Sequence, residues 1–454
     1  MLNEAAPLSL GLLGAVPPLP DVAPERVEEL VAAMAEVAAG LEGLGPLRDA
    51  DDEVDRRCLA HGLRRALDAV HRGTPDGPAA LEQHLQLRLL RLLEDPGTTL
   101  PALVELVEFG PAFLRQSRPR GGGWVTGAGR LAVEAAGRLP LLLDACAAAG
   151  RELASAPLRF RLEAALGELL QAGAEESGWL LKEYLPGASD LPPSLPDVLK
   201  AGLGMSLADL EAAAEAALTE AVLADVPPVT DGQPLVDLED ARRAWQAAVA
   251  SGVSVGADVT AGADLAAEIE VLTAPSWLAP LLPGLSLALP GPLEDAPPRL
   301  LVTAGAGSSE DVGLLYRCEY LPWAMQRTRP RAARMLLPSP DLGAGWRAHV
   351  RTASAVGQPP WPRELAWRAA LALAAISMAV RGTTVEQAAG LVAAESGMAE
   401  QGARLQCLHL RRRPLDALTF LAGRAAVAAA VTRVGPAAVL SAGPLPAAAI
   451  SHLA

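Results

Sequence analysis

The stretch YRCEYLPWAMQ, residues 316–326, sets a thiol, Cys318, beside a carboxylate, Glu319, three residues before Pro322. Two chemistries use such groups. A thiolate activated by a nearby base attacks carbonyl carbon, an arrangement that recurs on unrelated folds. His349 is the candidate base for Cys318. Alternatively, a carboxylate next to a metal-bound water acts as a general base, provided other side chains hold the metal.

Those metal ligands are hard to find. The six histidines are His61, His71, His84, His349, His409 and His452. None has a second ligand-type residue at the i+4 spacing of helical zinc motifs. Cys58 and His61, three apart, make half a site with no second half nearby. Cys407 and His409 lie on diverging helix faces. Packing is the plainer role for these cysteines, a residue type that is usually buried.

One glycine-rich segment imitates a phosphate loop. LLVTAGAGSSEDVGLL (300–315) has the strand, glycine and helix order, but neither G-x-G-x-x-G nor G-K-[ST] is present. No lysine or arginine enters before Arg317. Ser308 is better placed to cap a helix whose first turn carries Glu310 and Asp311. RPRGGGWVTGAGR (118–130) reads as an interhelical loop.

The elements that must position these residues are mostly helices. Amphipathic patterns run over 24–45, 47–73, 78–94, 99–118, 127–150 and 157–182. A proline-rich connection, YLPGASDLPPSLPD, leads to a helix opened by Ser206 and Asp209, and another helix covers 237–251. Between 252 and 304 the texture alternates and is dense in proline, which predicts short strands and turns. Helices resume over 308–335, 343–356, 361–381, 384–396, 398–411 and 414–433. No period of 20–50 residues repeats, so a solenoid is not expected. The expected fold is mainly α: one large helical domain over 1–454. It comprises N-terminal helices in 1–251, a small β-containing insertion at 252–304 and C-terminal helices in 305–454.

Composition supports that expectation. Of 454 residues, 51% are hydrophobic and only 3% aromatic, a bias toward helix formers over strand formers. The net charge of −15 argues against nucleic acid as a partner. Four scattered cysteines without C-x-x-C pairing fit a reducing compartment. The N-terminus has no basic n-region, and the longest uncharged run in a helical context, between Arg368 and Arg381, is 12 residues, too short for a bilayer. A cytoplasmic protein with no membrane partner is expected.

The stretch GTTVEQAAGLVAAESGMAEQGARLQCLHLRRRPLDALTFLAG (382–423) resembles the C-terminal signature of the domain-of-unknown-function (DUF) 885 family, which ends in P-x-x-A-x-S-Y-x-x-G. EIEVLTAPSWLAPLLPGLSLALPGPLEDAPPRLLVT resembles the segment before its metal motif. LPDVLKAGLGMSLADLEAAAEAAL and LRDADDEVDRRCLAHGLRRALDAV are similar to its mid-chain and N-terminal helices. The likeness spans most of the chain.

The resemblance implies a helical zinc-peptidase scaffold with H-E-x-x-P-G-H on one helix and an E-G-W glutamate on a later one. The first histidine falls on Cys318, the glutamate on Glu319, the proline on Pro322, the glycine on Trp323 and the second histidine on Ala324. E-G-W falls on Ala344, Gly345 and Trp346. The tyrosine of the last segment falls on Phe420, ahead of Gly423. Catalytic zinc takes about three protein ligands, and of these three positions only Cys318 keeps a donor. Trp323 fills the place of a glycine, and Phe420 cannot donate to an oxyanion. The expectation is a metallopeptidase homologue without zinc or catalysis, binding a peptide, protein or small ligand in the former cleft. The alternatives are a hydrolase using Cys318 or Glu319 without metal, and an interaction protein whose cleft is plugged.

Overall fold

The computed structural model describes residues 24–71, 77–93, 95–118, 126–188, 203, 205–223, 235–252, 269–282, 284–289, 297–303, 307–328, 331, 334, 340–354, 361–412, 414–450 and 453. The N-terminal stretch, the glycines at 121–123, residues 253–268, most of the proline-rich connection and His452 therefore lie outside the described residues.

The first helices are α1 (Pro24–Gly43), α2 (Ala50–His71), α3 (Gly77–Arg91), α4 (Pro96–Gln116), α5 (Thr126–Leu153) and α6 (Ala156–Trp179). A five-residue π-turn, π1 (Leu180–Tyr184), extends α6. Then come α7 (Leu207–Leu223), α8 (Leu238–Gly252) and three strands, β1 (Glu270–Thr273), β2 (Leu285–Ala288) and β3 (Arg299–Val302). Helix α9 (Ser309–Leu315) runs through a second π-turn, π2 (Tyr316–Tyr320), into α10 (Leu321–Thr328). The remainder is α11 (Pro340–Ser354), α12 (Trp361–Val380), α13 (Val385–Ser396), α14 (Glu400–Arg412), α15 (Pro414–Val434), α16 (Pro436–Ser441) and α17 (Ala447–Ile450).

The fold is mainly α with one small sheet, as the composition predicts. All three strands fall inside the expected insertion. β3 is central, parallel to β1 and antiparallel to β2, with Leu300 opposite Val271 and Leu287. Leu300 and Leu301 are fully buried, which anchors the sheet through its middle strand.

The chain gathers into two compact units. The described residues of Met1–Glu36, Ala69–Asp190 and Ile269–Gly307 form the first, and those of Val37–Asp68, Leu191–Glu268 and Ser308–Ala454 form the second. In the first, leucines of α3–α6 interdigitate around Phe113 and Cys146, and Trp277 and Leu301 join them from the sheet region. Among the described residues of the second are two apolar clusters. One is rich in alanine, with Ala369, Ala370, Ala374 and Ala375 of α12 against Leu210, Cys407 and Leu418. Small side chains let these helices approach closely. The other surrounds Trp346 with Cys318, Leu342, Val350, Val427 and Leu440.

Local sequence sets the helix ends near the candidate site. Ser308 Oγ accepts the Asp311 N–H at 3.3 Å, and the Asp311 carboxylate accepts the Ser308 N–H at 2.8 Å. This is the expected cap, worth about 1 kcal/mol. One stretch of α15, Ala417–Val434, is long and apolar enough to cross a bilayer, longer than the run the sequence suggests. It is half buried inside the protein, and Arg424 pairs with Glu220 at 2.7 Å, as suits a core helix.

Candidate functional site

The tetrad Glu-Tyr-Leu-Pro occurs twice, at Glu183–Pro186 and Glu319–Pro322, and each copy runs out of a π-turn. In π2 the Leu321 N–H reaches back five residues to the Tyr316 carbonyl, and in π1 the Leu185 N–H does the same to Leu180. Proline favours this widening. Its ring crowds the carbonyl four residues earlier and brings no N–H, and a widened turn moves that carbonyl aside. The single helix expected over 308–335 is thus corrected to α9, π2 and α10. The repeated tetrad is the sequence signal that reveals the widening.

The same geometry orphans one acceptor. The Arg317 carbonyl loses Leu321 N–H to Tyr316, and the next residue, Pro322, has no N–H to offer. Trp346 supplies the missing donor: its Nε1 lies 2.8 Å from Arg317 O. Trp346 is fully buried, so this bond forms where water cannot substitute.

Helix α11 carries Trp346 and packs along α15. At their crossing a Cβ on Gly345 would lie 2.2 Å from the Gly423 carbonyl oxygen, so only glycine permits that approach. The motif residues Cys318, Trp346, Gly345 and Gly423 are therefore brought into one region of the second unit. Pro322 and Ala324 are buried on α10, and Ala344 packs half-buried against the alanine-rich cluster.

Charge collects around them. Arg347 Nη1 bonds Glu319 Oε1 at 2.6 Å, both side chains being partly exposed. Arg351 pairs with Glu364 of α12, and Arg368 reaches the same carboxylate at 3.6 Å. The Arg368 guanidinium lies 4.4 Å from the Trp367 ring and 5.6 Å from the ring of Phe420, which is buried. Glu364 and Arg368 are site residues that the family-like motifs do not include. Burial lowers the Arg368 pKa, and repulsion from Arg347 and Arg351 adds to the fall.

Burial acts on both the thiol and the imidazole. Burial pushes the Cys318 pKa up to about 11, against the pull of Arg351, Arg347 and Arg317. His349 lies against the Trp346 ring, centroids 5.4 Å apart, and burial lowers its pKa. Both shifts favour the neutral forms, so a thiolate–imidazolium pair is opposed from each side.

Tyr316 and Tyr320 stack on one another along π2, with centroids 5.6 Å apart. Trp245 of α8 meets both edge-on, at 5.3 and 5.1 Å, and Trp323 lies 5.5 Å from Tyr320. Trp323 thus extends an aromatic wall beside the charged cluster.

The first unit has its own cleft at π1. It measures about 610 Å³ and is lined by Arg118, Trp179, Lys182 and Glu183 among others. Beneath it the buried Glu176 accepts from Arg118 Nε at 2.7 Å, and burial raises its pKa. Among the described residues, no three His, Cys, Asp or Glu side chains gather to hold a metal ion.

No family model matches the chain, and no curated protein matches it. Its fold is similar to that of a candidate lipoprotein of unknown function from Shewanella oneidensis, with a TM-score of 0.63 and 14% identity. That match covers 95% of this chain and 92% of the other. It is also similar to a candidate lipoprotein from Colwellia psychrerythraea, with a TM-score of 0.60 and 14% identity over 94% and 90% of the two chains. These likenesses are of fold.

Proposed function

We propose that the chain is a DUF885-like peptidase homologue that has lost its hydrolytic metal and binds a peptide or other small ligand where π2, α11 and α12 meet. The observation that carries this reading is the backbone contact between Gly345 and Gly423. The family resemblance assigns these glycines to two separate signature segments of one site, and the two segments touch.

The residues at the ligand positions do not suit zinc. Ala324 and Ala344 offer methyl groups, and Cys318 is a buried thiol with a pKa of about 11. A zinc site needs about three protein donors, with any cysteine as thiolate. Glu319, the general base of the family pattern, is bonded to Arg347. The raised thiol pKa also weakens the alternative of a cysteine hydrolase. What these residues can do is recognise: aromatic side chains stand beside the partly exposed Glu319–Arg347 pair.

Titration calorimetry with a mixture of short peptides, in the presence of a chelator, tests the reading. Binding without cleavage supports it; cleavage that disappears with chelator contradicts it. The lipoprotein character of the two structural neighbours makes the cell envelope the alternative to a cytoplasmic location, and cell fractionation decides between them.

A further inference from the structure

The cluster around Glu319 is electropositive within a chain of net charge −15. Cys318 lies in the field of Arg317, Arg347 and Arg351, and Arg368 in that of Arg347 and Arg351. Among the described residues, the carboxylates paired with these guanidiniums are Glu319 and Glu364. Donors are in excess as well as charge. The Nε atoms of Arg317, Arg351 and Arg368 and the Trp367 Nε1 are buried with no acceptor among the described residues. Like charges and unmade hydrogen bonds are both costly in such a place. An anion bound among these guanidiniums offsets the excess charge.

The Glu319–Arg347 pair has the features of an exchangeable contact. It joins one oxygen to one terminal nitrogen, leaving the guanidinium fork unfilled. Its side chains are 38% and 45% exposed, so solvent screens it and little stability depends on it. A guanidinium matches an incoming carboxylate with two parallel bonds.

We infer that this cluster binds the carboxylate of its ligand, and that Glu319 rests on Arg347 as an internal stand-in which the ligand's carboxylate displaces. The inference rests on the ligand-binding reading of the same site and gives the ligand its chemical class: a short peptide or amino-acid derivative with a free carboxylate. Trp323, half-buried and packed on Tyr320, supplies apolar surface one helical turn from Glu319.

The test is calorimetric titration of the full chain with N-acetyl-alanyl-alanine and with its C-terminal amide. The acid is expected to bind at least tenfold more tightly than the amide, with affinity falling as salt rises. Arg347→Gln and Arg368→Gln should each weaken the acid by about tenfold, the worth of a charge-assisted hydrogen bond. Glu319→Gln should strengthen it about threefold or more, because a competing carboxylate is gone; a merely structural Glu319 would weaken or leave it. Melting curves check folding, and Arg347, being exposed, keeps the test decisive if the Arg368 variant unfolds. Equal binding of acid and amide overturns the carboxylate inference and leaves the ligand-binding reading standing. Binding of neither compound overturns both.

Discussion

Gly345 and Gly423 hold α11 and α15 in backbone contact: a Cβ on Gly423 would come within 2.2 Å of the Asp341 carbonyl oxygen and 3.1 Å of the Gly345 nitrogen. The atoms in the way are main chain and cannot rotate aside. Gly345→Ala and Gly423→Ala should therefore each destabilise the protein by about 3 kcal/mol, at the upper end for overpacking. Gly343 lies on the same helix with nothing within 4 Å of its Cβ position. Gly343→Ala should stabilise by about 0.5–1 kcal/mol through helix propensity. Urea denaturation midpoints of the three variants check the contrast.

The bond from Trp346 to Arg317 O exists because Pro322 withholds an N–H. Trp346→Phe should cost about 1–3 kcal/mol, since it leaves a buried carbonyl unsatisfied. Pro322→Ala restores an N–H that can reach that carbonyl within π2. The cost of Trp346→Phe should then shrink in the Pro322→Ala background. A double-mutant cycle measures this, and strict additivity would sink the explanation.

All four cysteines are buried free thiols. Burial raises Cys58 and Cys146 to about 12 and Cys318 and Cys407 to about 11. The folded state keeps these thiols protonated while the unfolded chain loses its protons above about pH 9. Stability linked to them is complete below pH 9 and is lost as pH rises toward 11–12. The slope is about 1.4 kcal/mol per pH unit for each thiol titrating only in the unfolded chain. Denaturation midpoints at pH 7, 9 and 10 should be level and then fall. At pH 7.5 a thiol reagent should label the native chain slowly at every cysteine and the unfolded chain fast.

Arg334 is 4% exposed and bonds Asp55 Oδ1 at 2.5 Å, Asp51 Oδ1 at 2.7 Å and the Ala442 carbonyl at 2.6 Å. Removing it strands the Ala442 carbonyl, whose bond is buried, and takes one donor from the largely buried Asp55 carboxylate, although Asp51 is open to water. Arg334→Ala should cost about 3–5 kcal/mol, whereas Arg347→Ala, at an exposed pair, should cost about 0–1 kcal/mol. Thermal melts at matched salt give the comparison.

Features that depend on neighbours in sequence were legible there. The Ser308–Asp311 cap and the matching Ser206–Asp209 cap require three-residue spacing alone. The strands between 270 and 302 announce themselves by alternation and proline. Of the three arginines nearest Glu319 in these segments, Arg317, Arg347 and Arg351, it is Arg347 that bonds it, a choice the sequence leaves open. The π-turns are not legible in sequence, because proline alone permits a kink, a break or a widened turn; the second copy of Glu-Tyr-Leu-Pro is what narrows the choice. The place of Glu364 and Arg368 is set by how α12 packs against the other helices, which no local pattern encodes.

The zinc content of the unmodified protein tests the central claim most directly. The chain should be purified without chelator, dialysed against buffer with equimolar zinc, passed through a desalting column and measured by elemental analysis. Cys318, Ala324 and Ala344 together present one protonated thiol and two methyl groups, so the zinc found should be far below one per chain, and added zinc should not raise hydrolysis of peptides. Close to one zinc per chain, removed by chelation together with a peptidase activity, would contradict the account.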